Sequence, residues 1–403
     1  MGGGIVSERI RARSSFPYPH DLDNGGTMAG DIPLRVLGDT GISVPAVGMG
    51  CWAIGGPDHN LGMPMGWSTA DDAESAAGLE RAHALGARLF DTADVYGHGH
   101  SERLIGQLVA QVPRADLVLA SKVGYFRGTA PHGFDPGHMR RQLEQSLENL
   151  RTDHLDIYFL HHSDFGPDDR WLRGAADTMR ALRDEGLIRA IGMRGPHRFA
   201  AQRRAGGTAA REDKSATFRR VFDVVEPQIL AVRDNLLTPS ARSAPIISFA
   251  EQHGCGILLN KTLGQGLLVG VNDPAHPRVL GPGDHRSRKR WFTPAAGVVI
   301  GEGLARLRAI VGPDRADLVR VALWSGLLRS ENAAVLVGFT RAAQVEMNLT
   351  CLGEPPPIDV IDAARAVMAD VQRRLDNTGE VFLDERPPMS AVAPPVGATA
   401  PNP

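Results

Sequence analysis

Between residues 45 and 338, short apolar runs alternate with longer stretches in which apolar residues recur every three or four positions. The runs are PAVGMG (45–50), ARLFDT (87–92), DLVLASK (116–122), LDIYFLH (155–161), IRAIGM (188–193), DVVEPQILAV (223–232), GILLNK (256–261) and AAVLVG (333–338). The segment 135–150 places Met139, Leu143, Leu147 and Leu150 on one helical face, and 171–187 and 314–330 keep the same period. Eight strands alternating with helices predict an α/β fold with a parallel sheet, and eight repeats are what closes a (β/α)8, or TIM, barrel. The rival is a doubly wound sheet, which usually carries G-x-G-x-x-G after its first strand; VGMGCWAIGG and TLGQGLLVG have other spacings. Before the repeat, LRVLGDTGISVP (34–45) predicts a β-hairpin turning at Gly-Asp-Thr-Gly, and residues 355–375 predict one extra C-terminal helix. Residues 203–220 read as an inserted charged loop, and DHRSRKR (284–290) as a solvated basic loop after the seventh strand. The barrel domain is therefore expected over 33–376. The aperiodic lead-in 1–32 and the Pro/Ala-rich tail 377–403 are expected to be disordered.

Composition narrows the function classes. Hydrophobic residues make up 42% and charged residues 22%, enough for a substantial core in a soluble domain. A formal net charge of −2 gives no overall attraction to nucleic acid or to a membrane surface, and neither partner is expected. Cys51, Cys255 and Cys351 form no CxxC pair, which argues against a zinc ribbon or disulfide framework and fits a reducing, cytoplasmic setting. No apolar run has the length of a membrane span, and the first twenty residues lack the apolar core of a signal peptide. Of 44 basic residues only Lys122, Lys214, Lys261 and Lys289 are lysines, so a lysine in a chemically suggestive place carries information.

In a barrel of this kind, chemistry sits at the C-terminal ends of the strands. Asp91 ends the second predicted strand, Tyr96 stands on the loop after it, Lys122 ends the third and His161 the fourth. Singly, each has a plain explanation: a turn cap, loop packing, a solvated charge, a rim histidine bonded to backbone. Together they fall on one rim from three neighbouring strands. A phenol, with an ordinary pKa near 10, becomes a proton donor near neutrality only beside a cation. Lys122 supplies that cation, Asp91 holds the lysine charged, and His161 positions the oxygen that receives the proton. Such a set suits the reduction of a carbonyl, given a source of hydride.

Asp91, Tyr96, Lys122 and His161, within FDTADVYGHGHSE, SKVG and HLDIYFLHH, resemble the catalytic tetrad of the aldo-keto reductase superfamily. RVLGDTGISVPAVGMGCW, EGLIRAIGM, LGQGLL and VLVGFTRAAQVEMNL resemble further segments of that family in the right order, over roughly 34–352. The resemblance implies a cytoplasmic NADP(H)-dependent oxidoreductase reducing an aldehyde or ketone to an alcohol, with Tyr96 as general acid. It also implies cofactor contacts at Gly50, Cys51 and Trp52 after the first strand, at Lys261, Leu263 and Gln265 after the seventh, and at Gly338, Arg341, Gln344 and Asn348 after the eighth. Where the family commonly holds the nicotinamide carboxamide with Ser-Asn, this chain has Arg194 and Gly195; Ala231 stands for a Gln, Asn260 for a stacking aromatic and Met347 for a Glu. Arg194 and Lys261 either grip the cofactor by other contacts, or the barrel is a weakly catalytic NADP(H)-binding regulatory or scaffold protein. A Schiff-base aldolase would use Lys122 or Lys261. Metal-dependent hydrolysis would use His98, His100, His161, His162 and Asp164, but no metal is expected, because no His-x-His motif ends the first strand.

Overall fold

Each of the eight apolar runs forms a strand with two faces to bury, and a closed barrel buries both. The computed structural model describes residues 32–197, 214–270, 278–376 and 383. In it, β1 (Val47–Gly50), β2 (Leu89–Asp91), β3 (Val118–Val123), β4 (Leu155–Leu160), β5 (Ile188–Arg194), β6 (Ile229–Arg233), β7 (Gly256–Asn260) and β8 (Ala333–Gly338) form one closed barrel. Every neighbouring pair is parallel, and β8 closes onto β1 with Val335 opposite Val47 and Gly338 opposite Gly50. A helix follows each strand, as at Asp72–Ala84 after β1 and Ala342–Thr350 after β8. The (β/α)8 reading holds.

Alternation along the strands separates two apolar layers. Leu89, Ala120, Ile157, Phe159, Ala190, Leu258 and Leu336 point into the barrel, while Phe90, Leu119, Tyr158, Ile191, Leu259 and Val337 pack outward under the helices. The interior is tight: a Cβ on Gly192 would come within 2.3 Å of the Phe159 ring. The predicted hairpin exists, with Leu34–Val36 antiparallel to Ser43–Pro45, and its Leu37, Ile42 and Val44 join the interior cluster. The barrel's N-terminal mouth is thus plugged, which leaves the C-terminal mouth for a ligand. The extra C-terminal helix is Ile358–Leu375, and it packs on a second added helix, Pro294–Val311, that the periodicity did not single out.

Three expectations need correction. Residues 214–220 of the supposed loop are helical, within Lys214–Val225, because Phe218, Val221, Phe222 and Val225 make a buried stripe against Phe249. The same helix claims Asp223–Val225, so β6 starts at Ile229, after Glu226 (φ 51°) and Pro227 turn the chain. DHRSRKR is not a solvated loop: Asp284, Arg286, Arg288 and Lys289 are all buried. The Arg286 guanidinium donates to Asp284 at 2.7 Å, Ser68 donates to the same carboxylate at 2.5 Å, and the guanidinium lies 3.9 Å from the centre of the Trp67 ring. This basic segment is a strap, joined to the loop after β1 by a bridge between Gly66 and Asp284. The lead-in through residue 31, residues 203–213 of the insert and, Leu383 apart, the tail from 377 lie outside the described residues. No helix among the described residues is long and apolar enough to cross a membrane.

Candidate active site

The inward alternation of each strand decides what stands at the C-terminal mouth. Two residues beyond interior Leu89 is Asp91, two beyond Ala120 is Lys122, and two beyond Phe159 is His161. By the same rule Arg194 ends β5, Arg233 ends β6 and Asn260 ends β7, and all six side chains line one cleft of about 1120 Å³. Tyr96 joins them from the loop after β2.

That loop is held in several places. The Ser101 hydroxyl donates to the Cys51 carbonyl at 2.8 Å and accepts from the Thr92 hydroxyl at 2.8 Å. Gly97, with φ 62°, lies so near the turn at Gly55 that a Cβ would sit 2.0 Å from the Gly55 carbonyl oxygen. The Tyr96 ring stacks beside Trp52 (centroids 5.8 Å apart, 24° between planes) and meets His161 edge-on at 5.9 Å.

Lys122 Nζ donates to Asp91 Oδ1 at 2.8 Å and to the Thr92 carbonyl, with both side chains of the ion pair more than nine-tenths buried. The ammonium stands 5.0 Å from the centre of the Tyr96 ring and interacts with its oxygen. Burial alone would push Lys122 down, but Asp91 and Tyr96 outweigh it and hold its pKa above that of an ordinary lysine. For Tyr96 burial wins: the phenol lies above its usual value although Lys122 and Arg194 pull it down. Burial first, then Lys122 and Arg194, push His161 far below an ordinary imidazole, so it is neutral at pH 7. Its Nδ1 is buried without a hydrogen-bond partner among the described residues. The set can therefore present a protonated phenol beside a fixed cation and a neutral imidazole to one oxygen atom.

The positions expected to touch a cofactor are mostly gathered along the same cleft. Gly50, Trp52, Lys261, Leu263 and Gln265 line it, and Gly338, Arg341, Gln344 and Asn348 line its far end. Cys51 does not; its thiol is buried in the outer core, turned to the Met49 carbonyl. Gln344 caps the start of its own helix, accepting from the Thr340 amide at 2.7 Å. Lys261 has φ 62°, a costly backbone for a residue other than glycine, and its Nζ stands 5.5 Å from the Trp52 ring centre. The Lys289 ammonium donates to Gln265 Oε1, while Gln265 Nε2 and Asn260 Oδ1 are buried without partners among the described residues. Those orphaned groups, with the cations near them, fit an elongated anionic ligand carrying amide groups. Arg233 and His285 also line the cleft and were not anticipated. Parity along β6 could have flagged Arg233; nothing local marks His285, which the strap carries to 4.9 Å from Trp52. His98 instead pairs with Asp58 at 2.9 Å and His100 contacts Asp72, and no three metal-ligating side chains gather among the described residues.

Comparison with known proteins agrees with this architecture. The sequence profile of the Aldo/keto reductase family matches residues 46–368. The chain is 27% identical to L-galactose dehydrogenase of Arabidopsis thaliana over 330 residues, covering 80% of this chain and 89% of that one. It is 26% identical to the NADH-specific methylglyoxal reductase of Escherichia coli over 353 residues, covering 84% and 98%. Among solved structures, a glycerol dehydrogenase from Gluconobacter oxydans superposes with a TM-score of 0.63 at 22% identity, over 84% of this chain and 95% of that one, a likeness of fold.

Proposed function

The chain belongs to the aldo/keto reductase family of oxidoreductases, whose members generally use nicotinamide cofactors, and from that premise we propose that it reduces an aldehyde or ketone to an alcohol with NADPH. The observation that carries the reading is the buried Lys122–Asp91 pair set against the Tyr96 phenol with neutral His161 alongside. The cofactor, when bound, supplies a hydride to the carbonyl carbon. Tyr96, held protonated by its burial, gives its proton to the carbonyl oxygen. Negative charge then builds on the phenol oxygen, where the Lys122 ammonium stabilises it, and Asp91 fixes that ammonium in place. Neutral His161 donates one N–H to the same oxygen and orients it.

Gly50, Trp52, Arg194, Lys261, Leu263 and Gln265 would hold the nicotinamide and pyrophosphate end of the cofactor. Gly338, Arg341, Gln344 and Asn348 would hold the adenosine end, and Arg341, exposed at a helix N-terminus, suits a 2′-phosphate. The preference for NADPH rests on Arg341, and it sets the chain apart from the bacterial methylglyoxal reductase relative, which is NADH-specific.

Titration calorimetry of the purified protein with NADPH and with NADH, followed by a carbonyl panel, tests the reading. Micromolar or tighter NADPH binding with turnover of at least one aldehyde or ketone is the expected result. Binding of neither nucleotide overturns it. Tight binding without turnover of any carbonyl would transfer the chain to the NADP(H)-binding regulatory alternative, for which the rewritten positions 194, 195, 231 and 260 are the motive.

A further inference from the structure

We infer that Arg194 makes the cleft discriminate between the two oxidation states of the nicotinamide, favouring the neutral reduced ring over the positively charged oxidised one. The inference rests on the reading above and extends it to a residue whose role that reading leaves general. Arg194 stands at an inward position at the end of β5, half-buried, in the same wall as Asp91, Tyr96, Lys122 and His161. The charge of Lys122 is matched by Asp91 at 2.8 Å. The guanidinium of Arg194 has no hydrogen-bond or ion-pair partner among the described residues, so it adds to the cleft a positive charge that no carboxylate beside it neutralises.

Tyr96 and His161 define where a reacting carbonyl oxygen lies. Hydride transfer requires the nicotinamide ring to stand against the carbon of that same carbonyl. Met193 pairs with Leu160 across β4 and β5, so Arg194 and His161 stand next to each other at the ends of neighbouring strands, in the cleft that Tyr96 also lines, and the guanidinium acts electrostatically on both. A ring placed against that carbonyl falls within the same field. In the proposed reaction Tyr96 gives a proton to the carbonyl oxygen and is left as a phenolate beside Lys122, while the cofactor would supply the hydride to the carbon and gain one positive charge on its ring. At separations up to about 10 Å and an effective dielectric constant of about 20, the repulsion between that charge and the guanidinium corresponds to at least roughly tenfold in affinity. A neutral serine or asparagine at this position would exert no such bias. In the reductive direction the consequence is useful, because the oxidised product is the form the wall repels and it leaves readily.

The test is a set of dissociation constants, by calorimetry, for NADPH, NADP+, NADH and NAD+, and for ADP-ribose and its 2′-phosphate, which lack the nicotinamide. The proteins are the wild type, Arg194→Gln and Arg194→Lys. Within each redox pair the wild type should bind the reduced form at least about tenfold more tightly. Arg194→Gln should lower that ratio severalfold, chiefly by tightening the oxidised form, and Arg194→Lys, which keeps the charge, should preserve most of it. Affinity for the two ADP-ribose compounds should not change in either variant. Equal affinity for both redox forms in the wild type, or an unchanged ratio in Arg194→Gln, would overturn the inference while leaving the reductase reading intact. Equal weakening of all six compounds in Arg194→Gln would make Arg194 a phosphate ligand and also overturn it. Failure of the wild type to bind any nucleotide would remove the reductase reading and the inference together.

Discussion

Replacing Lys122 with Met should cost more stability than replacing Lys122 and Asp91 together. The pair is 2.8 Å long, its side chains are 6% and 9% exposed, and the ammonium is also bonded to the Thr92 carbonyl. Lys122→Met strands the Asp91 carboxylate in the barrel mouth, and breaking a buried pair from one side costs about 3–5 kcal/mol. Adding Asp91→Asn removes the stranded charge. The double variant should then lose only the bond to Thr92 and some hydrogen bonding of the new amide, about 1–2 kcal/mol. The coupling between the two sites would be about 2 kcal/mol or more, well above the ~0.5 kcal/mol within which independent sites add. Urea denaturation of the four proteins at pH 7.5, with m held constant, measures it. The deficit of Lys122→Met should also shrink as pH falls. Burial already raises the Asp91 pKa, and without Lys122 a proton can neutralise the stranded group. Additive losses, or a deficit that grows on acidification, would show that the two residues are not a buried ionic unit and would remove the electrostatic support assigned to Tyr96.

Tyr96→Phe removes one buried oxygen and no apolar area. Turnover should fall by about 10²–10⁴-fold while the NADPH dissociation constant stays within a factor of a few, and equal loss of both in steady-state and calorimetric measurements would contradict the role of proton donor. Gly97→Ala forces a Cβ to 2.0 Å from the Gly55 oxygen at φ 62°; a lower melting temperature and at least about a tenfold loss of kcat are expected, because the Tyr96 loop must move, on the order of 1–3 kcal/mol of strain. His162 is buried, with Nε2 donating to the Gly124 carbonyl at 2.9 Å, and burial lowers its pKa to about 4. The unfolded chain takes up this proton near pH 6.5 and the folded one does not, so stability is lost as pH falls from about 6.5 towards 4, by up to about 3 kcal/mol from this group. Denaturation midpoints across that range should slope less in His162→Gln than in the wild type.

The barrel was legible because its signal is repeated and local. Eight short apolar runs separated by amphipathic stretches leave few topologies, and the sequential parallel order with closure of β8 on β1 is one of them. The errors fell where local pattern and tertiary context compete. Phe218, alone among charged residues, looks like loop punctuation; its partner Phe249 is on another helix, and only that contact, which Phe222 shares, makes a stripe. DHRSRKR reads as solvated by composition, since six ionisable residues in seven are rarely buried. Asp284 and Arg286 neutralise each other, and their burial depends on Ser68 and Trp67, more than two hundred residues earlier, which hydrogen-bond to Asp284 and stack on Arg286.

The tetrad positions were legible for a related reason: strand parity. A residue two places past an interior apolar side chain, at the C-terminal end of a strand, must enter the mouth of the barrel, and Asp91, Lys122 and His161 each satisfy this. Applied to every strand, the same rule brings in Arg194, Arg233 and Asn260, two of them at rewritten positions. What parity cannot reach is the contribution of the loops and helices. All four lysines of the chain line one cleft, with nine arginines and, among the described residues, Asp91 as the sole carboxylate. Lys122 and Lys261 come from strand ends, Lys289 from the strap and Lys214 from a helix start. In a protein that otherwise uses arginine for its cations and carries a net charge of −2, that convergence concentrates a positive field at one mouth. Such a field suits a polyanionic ligand, as the nucleotide of the proposed function would be. It also requires that cofactor affinity fall as ionic strength rises, most steeply for the form with the 2′-phosphate.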